Sequence, residues 1–287
     1  MKQTGTDFDE LWIKLLKELL QKPAISSRNG TQHEIIGYSM TLLGDLRNNF
    51  LRNPRRKLSP QYAAGETLWY LRGSAATLFI KKFAPSYKRF EDHRGWAYGA
   101  YGPRMIEQLF EARDILQSHK NSRQAVVTIF SHRDLSIAAG SRSKDVPCTC
   151  NLKFYLREDG LHMVTDMRSN DVWLGMPYDV FAFTSIGWLI AASLKTKLVS
   201  YTHNVGSMHV YEKNVQAAIE ASRANIRGLR AFGQYPDHCS LEESVDWARI
   251  DSIIDHDLGH RYIDRLLHMA WTKHRVSTDD GVASRES

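Results

Sequence analysis

Cysteine is scarce in this sequence, with three residues among 287. So small and odd a number excludes a disulfide framework, and in an intracellular chain it favours free thiols, one of which can be reactive. Cys148 and Cys150 are separated by one residue, which is not the spacing of a zinc site, and no second cysteine pair accompanies them. We therefore expect no metal site there.

Long apolar runs are also missing. No segment reaches the roughly 20 residues that a membrane helix needs, and the opening residues MKQTGTDFDE lack the apolar stretch of a signal peptide. We expect a soluble, cytoplasmic protein. Internal repeats and Pro/Ser linkers are absent too, while helix and strand patterns mix along the whole length. These features predict one α+β domain over residues 1–287, with a flexible polar tail at about 277–287.

The charge is moderately positive, with a net charge of +6 and a pI near 9.1. A positive surface favours an anionic partner, and a phosphorylated small molecule fits as well as a nucleic acid does. The densest basic cluster, residues 53–57 (NPRRK), is too short for a nucleic-acid-binding arm, and it is interpreted as a solvated loop. Nucleic acid is therefore the less favoured partner.

The segment 146–181 brings several chemically reactive residue types together. Its apolar residues alternate from Leu152 to Leu156, as in a β-hairpin, and residues 158–160 (EDG) form the turn. The return strand buries Met167 and so leaves Arg168 on the opposite face. Asp179 falls in the first turn of an apolar helix. A thiol, an arginine and carboxylates thus lie within one supersecondary unit, which indicates chemistry as well as core packing.

Hydrophobic periodicity predicts the remaining elements. Glu66 is placed at the start of its helix, where the helix dipole would stabilise a carboxylate. Residues 26–31 are interpreted as a polar loop whose Arg28 can hold a phosphate. We expect helices at 8–20, 65–73, 105–116, 180–193, 213–230, 241–254 and 256–273, a strand at 124–130, mixed strand and turn at 36–51, and two strand pieces around 204–206.

Two other patterns have simpler interpretations. His256 and His260 are spaced four apart, but the intervening residues do not match a zinc-protease helix, so we interpret them as ordinary surface or core histidines. Residues 131–134 (SHRD) contain the residue types of a catalytic triad, but adjacency in sequence does not create triad geometry. Most cysteines in an intracellular chain are likewise inert, so Cys148 needs further support.

That support comes from a series of ordered motifs. They are Pro147-Cys148, Arg168-Ser169-x-Asp171, Leu174-Gly175-x-Pro177-Tyr178-Asp179 and Gly206-x-x-His209-x-Tyr211, preceded by Arg28, Glu66-Thr67-Leu68-Trp69, Tyr98-Gly99 and Ser122-Arg123. Over residues 25–215 they resemble the thymidylate synthase family, which includes the pyrimidine-nucleotide hydroxymethylases. The resemblance implies a mixed β-sheet packed with helices and a homodimer formed through the sheet.

The resemblance also implies a role for each matching residue. Cys148 would add to carbon 6 of a pyrimidine monophosphate, which makes carbon 5 nucleophilic toward 5,10-methylenetetrahydrofolate. Glu66 would organise water and proton transfer. Arg28, Arg168 and Ser169 would bind the phosphate, Arg123 would arrive from the partner subunit, and His209 and Tyr211 would contact the sugar. The substrate would also contact Asp171 and Asp179, and the cofactor would contact Glu66, Trp69, Asp171, Gly175 and Tyr178.

Asp179 indicates which base is used. Synthases that act on uracil carry asparagine at this position, whereas a carboxylate can accept from the amino group of cytosine. Asp179 would therefore also be catalytic, and in this respect the chain resembles the deoxycytidylate hydroxymethylases of bacteriophages, which act in the host cytoplasm. The polar C-terminus (SRES) does not resemble the apolar tail that closes the synthase site, which favours addition of water and a hydroxymethyl product. Methylation of dCMP or dUMP, hydroxymethylation of CMP, and an inactive nucleotide- or RNA-binding relative are the alternatives.

Overall fold

A seven-stranded sheet is the centre of the computed structural model, which describes residues 1–44, 46, 49–140, 143 and 145–225. The strands are β1 (Lys2–Gly5), β2 (Ala24–Ser27), β3 (Gly30–Leu43), β4 (Val126–Thr128), β5 (Thr149–Arg157), β6 (Gly160–Asp171) and β7 (Leu198–Tyr211). The helices are α1 (Phe8–Leu19), α2 (Pro60–Leu71), α3 (Gly102–Ser118), α4 (His132–Ala139), α5 (Met176–Ser193) and α6 (Glu212–Ser222). The 3₁₀ segments Ile80–Lys82 and Pro85–Phe90 lie between α2 and α3.

The sheet is mixed, with strand order β1-β3-β7-β6-β5-β4 and β2 paired to β3. β1 with β3 and β6 with β7 run parallel, whereas the other pairs are antiparallel. The predicted hairpin is confirmed, because β5 and β6 pair antiparallel with Arg157 opposite Gly160 next to the turn. Gly160 has a φ of +139°, a region that favours glycine. The predicted α+β class, with a mixed sheet packed with helices, is confirmed as well.

Helix α5 forms the core against the sheet. Fifteen of its 18 residues are buried, and it packs on β6, β7 and α2. Because no face of it is polar, the helix can only be stable when it is surrounded by apolar side chains. Its first turn carries Asp179, so the most apolar helix of the protein holds a carboxyl group in the interior.

Three local predictions are corrected, and a fourth is confirmed. Glu66 lies in the middle of α2 rather than at its start, so the helix dipole does not stabilise it. Residues 26–31 form a tight hairpin between β2 and β3, with Arg28 and Asn29 as its turn. Residues 36–51 contain strand and turn as expected, since 36–43 belong to β3 and a bend follows at Gly44. β7, in contrast, is one continuous strand where two pieces were expected. These polar stretches were predicted incorrectly because their backbone N–H and C=O groups form hydrogen bonds to neighbouring strands. Hydrophobic periodicity does not reveal such pairing.

The basic cluster at 53–57 is only partly a solvated loop. Arg55 and Lys57 are exposed, but Asn53 is buried and its Nδ2 donates to the Ala221 carbonyl at 3.1 Å. Arg56 is half-buried, and its Nε donates to the carbonyl of Trp173 at 2.6 Å. Two residues of the cluster therefore join α6 and the chain before α5 to the rest of the fold.

Within the described ranges, no helix has both the length and the apolar character needed to cross a membrane. The predicted helices at 241–254 and 256–273, the end of the one at 213–230, the tail at 277–287 and the His256 and His260 pair lie outside the described residues.

Candidate active site

A cavity of about 380 Å³ lies where the end of β6, the start of α5 and the middle of α2 meet. A wider cavity of about 890 Å³ adjoins it and shares Arg28, Asn29, Phe90, Leu174 and Tyr211 with it. These volumes suit a small molecule. Of the residues singled out in the sequence, the first cavity is lined by Arg28, Glu66, Trp69, Cys148, Arg168, Ser169, Asp171, Gly175, Asp179, His209 and Tyr211.

Cys148 lies at the entrance to β5, beside Arg168 on β6. The Arg168 Nη2 is 3.6 Å from the Cys148 Sγ, and the guanidinium also donates to the carbonyls of Pro147 at 2.9 Å and Val146 at 3.0 Å. Arg168 therefore holds the thiol-bearing loop in position. Burial raises the pKa of the Cys148 thiol, and the nearby Arg168 charge opposes that effect without cancelling it.

Glu66 is a buried carboxyl group on α2. The Tyr62 hydroxyl, one helical turn earlier, donates to Glu66 Oε1 at 2.7 Å. Burial, together with the charge of Asp179, raises the pKa of Glu66 to about 8, although the hydrogen bond from Tyr62 works in the opposite direction. Glu66 can therefore take up or release a proton near neutral pH, as general acid–base catalysis requires.

Asp179 is a second buried carboxyl group in the same cavity, 8% exposed. Burial raises its pKa to about 7, and its hydrogen bond from Asn170 Nδ2 to Oδ2, 2.8 Å long, limits the increase. A Cβ at Gly175 would lie 3.1 Å from that Nδ2 and 3.3 Å from that Oδ2, so a larger residue would press on this hydrogen bond. This close approach explains a glycine just before α5.

Asp171 ends β6 and leaves one acceptor unused. Its Oδ1 accepts from the backbone N–H groups of Trp173 at 2.8 Å and Leu174 at 3.0 Å. Its Oδ2 is buried and has no hydrogen-bond partner among the described residues. Burial raises the pKa of Asp171. A buried acceptor without a partner is costly, so this oxygen is suited to a ligand that brings a donor.

His209 and Tyr211 occupy the end of β7. Their rings meet edge to face, with centroids 4.9 Å apart, and both residues line the cavity. Asn29, in the turn beside Arg28, donates through Nδ2 to the Tyr211 hydroxyl at 3.4 Å. The β2–β3 turn is thereby held close to this end of the cavity, so that Arg28 can approach a ligand bound there.

Two of the predicted residues do not line the cavity. Arg123 is exposed just before β4. Tyr178 packs edge to face on Tyr62, with ring centroids 4.7 Å apart, and its hydroxyl accepts from the Ser59 backbone N–H at 3.1 Å. Tyr178 thus supports the residue that hydrogen-bonds Glu66.

Sequence reasoning missed several residues that line the site. Asn170 lies between Ser169 and Asp171, which were both predicted to belong to the site. No sequence pattern indicated that the Asn170 side chain would hydrogen-bond Asp179. Tyr87 and Phe90 lie in a stretch where aromatic and basic residues are mixed without regular spacing. That they line the cavity depends on the fold. Tyr101 follows Tyr98-Gly99, and its hydroxyl accepts from the Thr149 N–H at 3.3 Å. The interpretation of residues 131–134 is supported, because Asp134 caps α4 and pairs with Arg104 at 2.8 Å.

Comparison with known families agrees with this geometry. The thymidylate synthase family model matches residues 10–229, roughly three quarters of the chain. The chain belongs to the thymidylate synthase family, and it is therefore a folate-dependent enzyme that transfers a one-carbon unit to a pyrimidine nucleoside monophosphate.

Proposed function

We propose that this enzyme is a dCMP hydroxymethylase, which adds a one-carbon unit and water at carbon 5 of dCMP and releases tetrahydrofolate. The observation that carries the proposal is Asp179, a buried carboxyl group in the nucleotide cavity with a pKa raised to about 7. Uracil-specific members of the family carry an amide at this position. A carboxyl group offers a different set of donors and acceptors, and so favours a different base.

The preference for cytosine follows from hydrogen-bond chemistry. Cytosine presents an amino donor at position 4 and an unprotonated ring nitrogen at position 3, whereas uracil presents an oxygen and an N–H. A carboxyl group with one proton accepts from the amino group and donates to the ring nitrogen. The raised pKa of Asp179 keeps such a proton available at neutral pH. Asp179 would then act as the acid that protonates the ring nitrogen when the base is attacked.

The other residues of the site divide the remaining work. Cys148 Sγ first gives up its proton to solvent and then adds to carbon 6 as the thiolate. The positive charge of Arg168 at 3.6 Å stabilises that thiolate. Glu66, with a pKa of about 8, then moves the proton that leaves carbon 5. Arg28, Arg168 and Ser169 bind the phosphate, while His209 and Tyr211 contact the deoxyribose.

A second group of residues that line the cavity fits a folate. Trp69, Tyr87 and Phe90 line it with flat apolar surface. Asp171 Oδ2, for which the described residues offer no hydrogen-bond partner, suits an N–H-rich heterocycle. When bound, methylenetetrahydrofolate supplies the one-carbon unit. Gly175 leaves room for the hydrogen bond between Asn170 and Asp179, and Glu66 and Trp69 complete the surface against which the two substrates meet.

The assembly and the choice of product are parts of the same proposal. We infer one catalytic domain that dimerises through the face of the sheet that carries Ser39 and Asn204, which are joined by a 2.8 Å hydrogen bond. Arg123, exposed and outside its own cavity, would reach the phosphate of the partner subunit. The choice of water over hydride transfer, and hence the hydroxymethyl product, follows from the resemblance to the deoxycytidylate hydroxymethylases at Asp179.

One reaction tests the proposal. The purified enzyme, given dCMP and methylenetetrahydrofolate, should yield a product heavier than dCMP by one CH₂O, by mass spectrometry, with no rise in dihydrofolate absorbance. A methyl product formed together with dihydrofolate would show that the enzyme is a methylase rather than a hydroxymethylase. A preference for CMP over dCMP would show that the substrate carries ribose rather than deoxyribose. RNA binding without any turnover would overturn the enzymatic assignment.

Asp179→Asn is the matched variant for the base. The change keeps the volume and the contact with Asn170 but converts the acid into an amide. We expect activity on dCMP to fall at least tenfold and affinity for dUMP to rise. Equal loss with both nucleotides would contradict a role for Asp179 in choosing the base.

A further inference from the structure

A buried chain of three side chains ends on the carboxyl group of Asp179. Tyr201 and His203 lie two residues apart on β7, and both are 0% exposed, while Asn170 on β6 is 4% exposed. The Tyr201 hydroxyl oxygen is 2.7 Å from His203 Nδ1, and His203 Nε2 is 2.9 Å from Asn170 Oδ1. Asn170 Nδ2 then donates to Asp179 Oδ2 at 2.8 Å.

The hydrogen bonds of this chain have one direction. Burial lowers the pKa of His203 to about 3, so the ring is neutral and carries a single N–H. Asn170 presents its carbonyl oxygen to His203, which places that N–H on Nε2. Nδ1 must then accept from the Tyr201 hydroxyl. The Asn170 carbonyl thus sets the tautomer of His203, and the Tyr201 hydroxyl, by donating to Nδ1, stabilises that tautomer and with it the orientation of the Asn170 amide.

This orientation decides which oxygen of Asp179 can carry a proton. Oδ2 receives the Asn170 N–H, and a proton on the same oxygen would compete for its lone pairs. A proton on Asp179 is therefore placed on Oδ1. Cytosine is satisfied when the proton faces ring position 3 and the bare oxygen faces position 4. Uracil needs the reverse, with the proton facing position 4.

We propose that Tyr201, His203 and Asn170 are positioning residues that confine the Asp179 proton to Oδ1 and thereby make the site reject uracil. The proposal rests on the proposed function, in which Asp179 contacts the base, and it assigns Oδ1 to ring position 3 and Oδ2 to position 4. Tyr201 and His203 do not line the cavity, so they act only through Asn170 and Asp179. A site that rejects an isostere by mismatched polar groups discriminates more strongly than an apolar one.

Removing the Tyr201 hydroxyl, which stabilises this tautomer, is the most direct test. In Tyr201→Phe the ring of His203 is free to carry its proton on Nδ1, and the amide of Asn170 can turn over. Dissociation constants for dCMP and dUMP, measured calorimetrically on the full chain at pH 7, give the discrimination between the bases. We expect it to fall about three- to tenfold, the equivalent of one net hydrogen bond, chiefly because dUMP binds more tightly.

The matched control is Tyr38→Phe. Tyr38 is also a buried tyrosine, 1% exposed on the neighbouring strand β3, and its hydroxyl has no hydrogen-bond partner within the described part of the chain. Its loss should leave the ratio of the two dissociation constants unchanged. Thermal melting verifies that both variants fold. If Tyr201→Phe does not, His203→Gln removes the Nδ1 acceptor instead and should lower the discrimination in the same way.

The remaining outcomes distinguish the positioning role of Tyr201 from the assignment of dCMP as the substrate. Equal weakening of both nucleotides in Tyr201→Phe would mean a merely structural role and would overturn the proposal. An unchanged ratio of the dCMP and dUMP dissociation constants would overturn the proposal too. So would a stronger preference for dCMP, because that result would reverse the assignment of the two Asp179 oxygens. A wild-type enzyme that prefers dUMP would instead refute the dCMP assignment on which the proposal rests.

Discussion

Arg168 and Cys148 are joined across two strands, with the Arg168 Nη2 3.6 Å from the Cys148 Sγ. The same guanidinium donates to the carbonyls of Pro147 and Val146, so its position is set by the loop that it holds. The arrangement places a fixed positive charge beside a buried thiol. It explains how a thiol whose pKa is raised by burial can still be used as a nucleophile.

The reactivity of Cys148 should depend on this charge. Because burial raises the thiol pKa, alkylation of Cys148 by iodoacetamide should be slow at pH 7 and should continue to accelerate above pH 9. Arg168→Gln should slow it several-fold at pH 8, whereas Arg168→Lys, which keeps the charge, should slow it less. Peptide mass spectrometry separates the signal from that of Cys150. Faster alkylation in Arg168→Gln would contradict the electrostatic argument.

The two buried carboxyl groups should make the protein less stable as pH rises. The folded-state pKa values, about 8 for Glu66 and about 7 for Asp179, exceed those of the unfolded chain, so the folded state binds more protons. Stability is then fully present near pH 4 and is lost as pH rises toward 8. Asp179→Asn should raise the melting temperature at pH 8, by about 5 °C or more, and much less at pH 5.

Asp166→Asn is the control for that experiment. Lys153 and Asn204 hydrogen-bond this carboxylate and lower its pKa although burial opposes them, so its contribution to stability is present at neutral pH and is lost as pH falls through its folded pKa. The substitution should destabilise the protein at pH 8, opposite in sign to Asp179→Asn. The same sign in both variants would mean that the melting temperature does not report on burial of the carboxyl group.

Binding of dCMP should weaken above pH 7. The proposed pairing shares one proton between Asp179 and the ring nitrogen, and that proton is lost as pH rises through the raised pKa of Asp179. The loss should approach tenfold per pH unit. The other titratable groups whose charge is coupled to that of Asp179 are Glu66 on α2, Cys148 before β5 and the tyrosines Tyr62, Tyr70, Tyr87, Tyr101 and Tyr201. Asp179→Asn should therefore remove the pH dependence of dCMP binding. Glu66→Gln should keep the loss of dCMP affinity above pH 7.

The pair of Arg104 and Asp134 should prove structural rather than catalytic. Asp134 is 0% exposed, and it accepts from Arg104 Nη1 at 2.8 Å and from the Tyr98 hydroxyl at 2.8 Å. Asp134→Asn should lower the free energy of unfolding by about 3 kcal/mol, the usual cost of breaking a buried ion pair. Nucleotide affinity in the folded fraction should not change. The exposed His132, changed to alanine, should affect neither quantity, and any loss of turnover would revive a triad-like role.

The sequence by itself determined the family and most of the residues of the site. Ordered motifs around Cys148, Arg168 and Asp179 can be recognised without a structure because they combine residue types with fixed spacing on a hairpin and a helix start. Hydrophobic periodicity likewise determined α1, α3, the β5–β6 hairpin and α5, since burial of one face is written into the pattern. It failed at Glu66 and at residues 26–31, where position within a helix and strand pairing depend on distant residues.

Only the tertiary structure decided what those residues can do. The pKa values of Glu66 and Asp179 are raised because α2 and α5 bury two carboxyl groups beside one cavity, and no local pattern encodes that burial. The hydrogen bonds from Tyr201 through His203 and Asn170 to Asp179 join residues that are up to 33 positions apart in the chain. Desolvation and long-range hydrogen bonding are properties of the folded interior. They convert an aspartate that the sequence merely names into an acid with a defined proton position.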